Sequence, residues 1–101
     1  MKNDGSKIIS GVMYITPDQA SKWLANNHTG RRKIPSESER IARAILEGKW
    51  VVSGETIIVD SDGRLLDGQH RLEAIVLAGI AVPSVVALNV DPRVAGTIGL
   101  H

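Results

Sequence analysis

Gln69, His70 and Arg71 stand side by side, with Asp67 and Gly68 just before them. An arginine fork grips two phosphate oxygens at once, which a lysine cannot do. A histidine donates to such an oxygen from the neutral or the protonated ring. Downstream, Leu72, Ile75, Val76 and Gly79 recur at i, i+3, i+4 and i+7, the period of one helix face. The three polar residues are therefore predicted in the first turn of a helix. The N–H groups there lack intrahelical acceptors, and the dipole favours an anion. Gly68 would let a backbone or a phosphate come close. Gly68, Gln69, His70 and Arg71 are thus the candidate phosphate-binding residues. A plainer reading stands beside this one: Asp67 only caps the helix, and Arg71 pairs with a surface carboxylate.

Five acids are candidates for holding Mg²⁺ or serving as a base: Glu55, Asp60, Asp62, Asp67 and Glu73. Asp60 and Asp62 are read as shaping a hairpin and Asp67 as a cap. Glu55, just after a glycine turn, and Glu73 are the candidate catalytic carboxylates. Arg31, Arg32 and Lys33 sit in a basic loop over 28–33, and Arg40 and Arg43 stand three apart on one helix face. These five form a candidate outer clamp for a polyphosphate or a DNA backbone. The competing reading is solvated charge, with Glu37, Glu39 and Glu47 neutralising the helix locally. His28, His70 and His101 lie on unrelated elements without an i, i+4 pair, so a histidine metal site is not expected. No elbow motif supports a Ser/His/Asp nucleophile.

The elements that must position these residues are short. Residues 1–11 are polar and glycine-containing and are expected to form an arm, leaving 12–101 as a single domain. Val12–Ile15 reads as a strand. Thr16-Pro17 with Gln19 is a capping-box pattern opening a helix to about Asn26. Ser36 with Glu39 is a second, opening a helix with Ile41, Ala44 and Ile45 inward, stopped by Gly48. Glu55–Asp60 and Arg64–Leu66 read as strands around an Asp62-Gly63 turn. The helix over 69–78 ends at Gly79. Val82–Leu88 is a last strand, with Pro83 suggesting a start at a sheet edge. Asp91-Pro92 would open one more helix, though Gly96 and Gly99 leave little room. The expected class is α+β: a small mixed sheet with about three helices.

Composition narrows the function. The 101 residues carry no cysteine, which excludes disulfides, thiolate metal sites and cysteine nucleophiles. Tyr14, Trp23 and Trp50 are the only aromatics, too few for a base-stacking platform. A net charge of +1 is too small for a general nucleic-acid footprint. The most apolar stretch, 74–88, is interrupted by Gly79, Pro83 and Ser84 and falls short of the ~20 residues needed to span a bilayer. The N-terminus has no apolar signal region. A soluble, cytoplasmic protein without a membrane partner is expected.

Gly68-Gln69-His70-Arg71 followed by Ala74 resembles the G-x-x-R-x-x-A signature of the ParB/sulfiredoxin-like superfamily. The run from Gly63 to Ala74 is similar to its small phage- and mobile-element-borne members. The similarity extends from Ile15 to Pro92 and is densest over 57–88. It implies a compact nucleotide-binding fold whose signature turn holds phosphates, with ATP or CTP and Mg²⁺ as the implied ligands. In the sulfiredoxin-like pattern the turn is Gly-Cys-His-Arg, so His70 and Arg71 match and Gln69 replaces the cysteine. Sulfinic acid reduction, which needs that thiolate, is excluded. In the partition-protein pattern the turn is Gly-Glu-Arg-Arg, so Gly68 and Arg71 match but Gln69 and His70 do not. An amide is a poor magnesium ligand beside a carboxylate. Two functions follow from the resemblance. One is a phage or plasmid accessory protein that binds a nucleotide and acts as an NTP hydrolase, a kinase or a nuclease. The other is a non-catalytic module that inhibits or recruits a host protein or DNA. A dimer acting within the bacterial host fits either one.

Overall fold

The computed structural model describes residues 7–27 and 35–96. Along the chain run β1 (Ile9–Ile15), α1 (Pro17–Ala25), α2 (Pro35–Leu46), β2 (Thr56–Asp60), β3 (Leu65–Asp67), α3 (Gln69–Ala78) and β4 (Val82–Val90), then a 3₁₀ turn, Pro92–Gly96. The strands form one sheet in the order β1-β4-β2-β3. β4 is antiparallel to β1 and parallel to β2, and β3 returns antiparallel to β2. The protein is α+β, with three α-helices and a mixed four-stranded sheet among the described residues.

Helix starts and stops follow local chemistry. Thr16 Oγ1 accepts the Gln19 N–H at 3.1 Å, and Pro17 takes the first helical position of α1, where its missing donor costs nothing. α2 begins at Pro35, so Ser36 lies inside the first turn and is not the cap expected of it. Ala42 and Ile45 are buried on this helix, with Ile41 packed against them. Gly79 adopts φ +69 and donates to the Ile75 carbonyl at 2.9 Å, a left-handed end that glycine accommodates best. Val76, expected in the inward stripe of α3, is exposed. The buried face of α3 is Leu72, Ala74 and Ile75.

The helices bury one side of the sheet. Ile15, Ile57, Val59, Leu65, Val82 and Val86 from the strands join Ala20, Ala42, Ile45, Leu72, Ala74 and Ile75 from the helices in one core. α3 packs against both α1 and α2. The opposite sheet face is open at β1, where Val12 and Tyr14 are 60% and 69% exposed.

Two expectations about the strands are corrected. β1 starts at Ile9, so residues 9–11 belong to the sheet and not to an arm. β4 is an interior strand. Pro83 is tolerated there because β2 reaches β4 only from Val85 onward. On that uncovered side the Pro83 carbonyl accepts the Trp50 indole N–H at 2.7 Å. A residue's N–H and C=O lie on the same side of a strand, so the donor that proline lacks would face no neighbouring strand. Among the described residues no helix is long and apolar enough to cross a membrane.

Candidate functional site

The β2–β3 hairpin aims the chain into α3. Asp60, 3% exposed, accepts the Asp62 and Arg64 N–H groups, both at 2.9 Å, and the Arg64 Nε at 3.1 Å. This is the hairpin-shaping role expected of it. Asn26 at the end of α1 holds the same turn: its carbonyl accepts the Leu65 N–H, and its amide donates to the Gly63 carbonyl. β3 then delivers Gly68 at φ +103, next to the first residue of α3.

No side chain caps that helix start. Asp67 is therefore not the expected cap: its carboxylate accepts the Gly68 N–H at 2.9 Å and stays exposed. The glycine also has a reason other than ligand access. A Cβ there would lie 2.9 Å from Ile57 Cγ1 and 3.1 Å from Ile57 Cα. Close packing against β2 already demands the absence of a side chain.

The four consecutive candidates all border one hollow but differ in their partners. Gln69 turns inward and is 8% exposed. Its Oε1 accepts from Asn27 Nδ2 at 2.9 Å, and its Nε2 donates to Glu73 Oε2 at 3.1 Å. Glu73, also 8% exposed, accepts from Ser38 Oγ at 2.7 Å through its other oxygen. Ser38, Glu73 and Gln69 thus form a buried polar chain between α2 and α3, continued by the half-buried Asn27 just beyond the end of α1. This corrects two expectations. The Gln69 side chain borders the hollow but has its amide oxygen and nitrogen both engaged within the protein, and Glu73 is a buried structural acceptor rather than an accessible base.

His70 and Arg71 line a hollow of about 300 Å³, which Gln69 also borders, together with Asn27, Glu37, Ile41, Glu55, Thr56 and Asp67. His70 Nε2 is buried and has no hydrogen-bond partner among the described residues. Arg71 is held on three sides. Its Nε and Nη2 donate to Glu55 Oε1 at 3.0 and 2.8 Å, and Nη2 also donates to Ser53 Oγ at 3.0 Å. Its guanidinium lies 5.1 Å from the centre of the Trp50 ring, within cation–π range. The Arg71 side chain is 15% exposed and that of Glu55 76%. A second hollow of about 280 Å³ opens beyond this pair, bounded by Trp50, Lys49 and Arg40.

Glu55 therefore does reach the hollow, as the carboxylate that pairs with Arg71. Of the expected outer clamp, Arg40 and Arg43 are the members that lie among the described residues. Arg40 is bonded to Glu37, and Arg43 is exposed on α2 and lines neither hollow. Arg31, Arg32 and Lys33 lie outside the described residues. Among the described residues no group of three or more His, Asp or Glu is placed to hold a metal ion. Sequence reasoning missed Trp50 and Ser53 as partners of Arg71, and Asn27 and Ser38 as ends of the buried chain. Their partners lie 18 to 42 residues away in the chain, so no local pattern marks them. The side-by-side Gln69 and Glu73 did carry a signal, the i, i+4 spacing of helix neighbours.

No family model, curated protein or solved structure matches this chain.

Proposed function

We propose that this chain is a phosphate-binding domain of the ParB/sulfiredoxin-like kind, taking a nucleotide such as ATP or CTP at the start of α3. The observation that carries the reading is Arg71. A guanidinium is fixed by a carboxylate, a hydroxyl and an indole at the wall of a hollow, beside an uncapped helix start and a histidine nitrogen without a partner among the described residues. Prefixing an arginine in this way lowers the entropy lost when it grips an oxyanion. The resemblance of Gly68 to Ala74 to a phosphate-holding signature points the same way.

Mg²⁺ would arrive with the nucleotide. Magnesium is commonly held by substrate phosphates and one or two carboxylates rather than by a complete protein cage. Glu55 and Asp67 are the exposed carboxylates at the hollow that would serve. Binding without turnover is favoured over hydrolysis, kinase or nuclease chemistry because Glu73, one of the two candidate bases, is buried and engaged. An accessory protein that inhibits or recruits a host protein or DNA is the corresponding biological role.

The test is calorimetry with ATP, CTP, ADP and inorganic phosphate, with and without Mg²⁺, alongside an assay for phosphate release. Wild type should bind at least one of these without turning it over. Arg71→Lys keeps the charge and loses the fork, and should bind roughly ten- to a hundredfold more weakly. No binding at millimolar concentration would reject the reading.

A further inference from the structure

The two edges of the sheet differ. The β3 edge is three residues long, and the chain just past α1 covers it: the Asn26 carbonyl accepts the Leu65 N–H, and Asn27 bridges to the same residue. The β1 edge is seven residues long, and among the described residues no strand pairs with its outer side. Backbone groups alternate in direction along a strand, so about half of those on β1 point away from β4. Edges of this length are ordinarily blunted by charge or proline. Ile9–Ile15 contains neither.

The uncovered side chains match themselves. Ile9 lies opposite Leu88 and shares the core side of the sheet with it, yet Ile9 is 62% exposed. Gly11, on the same side, has nothing within 4 Å of where a Cβ would stand. Val12 and Tyr14 are exposed on the open side. Consider β1 paired antiparallel with a second β1 about a two-fold axis through Val12, perpendicular to the sheet. Val12 then meets Val12, Tyr14 meets Ser10, Met13 meets Gly11 and Ile9 meets Ile15. Residues of equal parity face each other, so the helices of both copies stay on one side. Met13 enters the space beside Gly11, and Ile9 gains an apolar neighbour. No like charges oppose each other, because the strand carries none. Just past the strand, the same axis brings Lys7 of one copy to the Pro17-Asp18 start of α1 in the other, twice over. Lys7 and Asp18 are exposed, and neither has an ion-pair partner among the described residues.

We infer that β1 is a homodimer interface, at which a second copy of this chain adds its own β1 antiparallel and joins two four-stranded sheets into one. Lys7 and Asp18 flank the joint with opposite charge. The covered β3 edges end the joined sheet on both sides, so assembly stops at two copies.

The chain has no cysteine, so introduced cysteines read the register directly. The two Val12 Cα atoms would stand about 4.5–5.5 Å apart, within disulfide range. The two Tyr14 Cα atoms, four residues out of step, would stand roughly 14 Å apart, outside it. Under oxidised glutathione, Val12→Cys should form a covalent dimer. Tyr14→Cys alone should not, but should cross-link to Ser10→Cys when the two variants are mixed. Sedimentation of the wild type should show a monomer–dimer equilibrium with a Kd of about 1–100 μM, as suits a small interface, and no larger species. Val12→Lys sets like charges against each other at the axis and should weaken the dimer at least about fivefold. Its site is 60% exposed, so the fold should not change. Lys7→Glu should weaken the dimer about threefold, and adding Asp18→Lys should restore it. A wild type still monomeric at about 1 mM would overturn the inference, leaving this edge to another part of the chain or to a different partner. So would assembly beyond two copies, or a dimer that Val12→Lys leaves unchanged. Tyr14→Cys cross-linking as readily as Val12→Cys would overturn it too, because another register or surface would then hold the copies.

Discussion

Gly68→Ala separates two reasons for a glycine at the head of α3. The backbone there has φ +103, outside the region that L-residues adopt easily, at a cost of about 1–3 kcal/mol. The added Cβ would also sit 2.9 Å from Ile57 Cγ1 and 3.1 Å from Ile57 Cα. The second contact is with backbone, which cannot swing away. Overpacking of this kind costs about 1–3 kcal/mol more, for a total of roughly 2–6 kcal/mol. In a chain of this size that is a fall in Tm of at least about 10 °C. Gly79→Ala is the control. Its φ is +69, and nothing lies within 4 Å of the added carbon, so it should lose only about 1 kcal/mol. Urea denaturation of both variants, with m-values compared, gives the difference directly. If Gly68→Ala costs no more than Gly79→Ala, packing against β2 is not what requires this glycine. If Gly68→Ala then loses phosphate binding at unchanged stability, the glycine is kept for the ligand.

Two further outcomes follow from side chains away from the hollow's mouth. Glu73→Ala strands the Ser38 hydroxyl and the Gln69 amide in the interior and should cost roughly 2–4 kcal/mol in chemical denaturation; a near-neutral result would free Glu73 for a catalytic role. Asp91 is held down to about 2 from an ordinary 3.8 by its hydrogen bonds with the Arg93 side chain and backbone. Its folded-state value is lowered, so its contribution to stability is present above pH 3.8 and is lost as the pH falls toward 2. An NMR titration should show Arg93→Leu returning Asp91 toward its ordinary value, and an unchanged midpoint would contradict the pairing.

Most of the fold was readable because it is written in local signals. Thr16-Pro17 and Gly79 each punctuate a helix through a bond or dihedral made within a few residues. Asp60 builds its turn from N–H groups two and four residues on. Ser36 misled because the same residue types serve as a cap or inside a first turn, and Pro35 took the starting position. Pro83 misled for a different reason. The rule that proline sits at an edge holds at the level of a single residue, and β4 is locally an edge there although the strand as a whole is central. Strand order depends on pairings between distant segments, such as Thr56 with Val85, and no residue pattern within one strand encodes it.

The site was legible only in part, for a reason the helix itself supplies. Four consecutive residues cannot share one face when each step turns about 100° around the axis. Gln69 and Glu73, one turn apart, both point inward and neutralise each other's polar demand. His70 and Arg71 line the hollow, which Gln69 also borders. The pairing of Gln69 with Glu73 could have been drawn from spacing alone. The partner of Arg71 could not, because Glu55 is sixteen residues away across two strands and competes there with Asp60, which Arg64 and the hairpin backbone already claim. The same turn thus runs two polar systems side by side. The inner one holds the first turn of α3 to α2, and under the proposed function the outer one would exchange its carboxylate for a ligand. Stability and binding should therefore separate by residue: changes at Gln69 or Glu73 move the unfolding curve first, and changes at Glu55 move the affinity first.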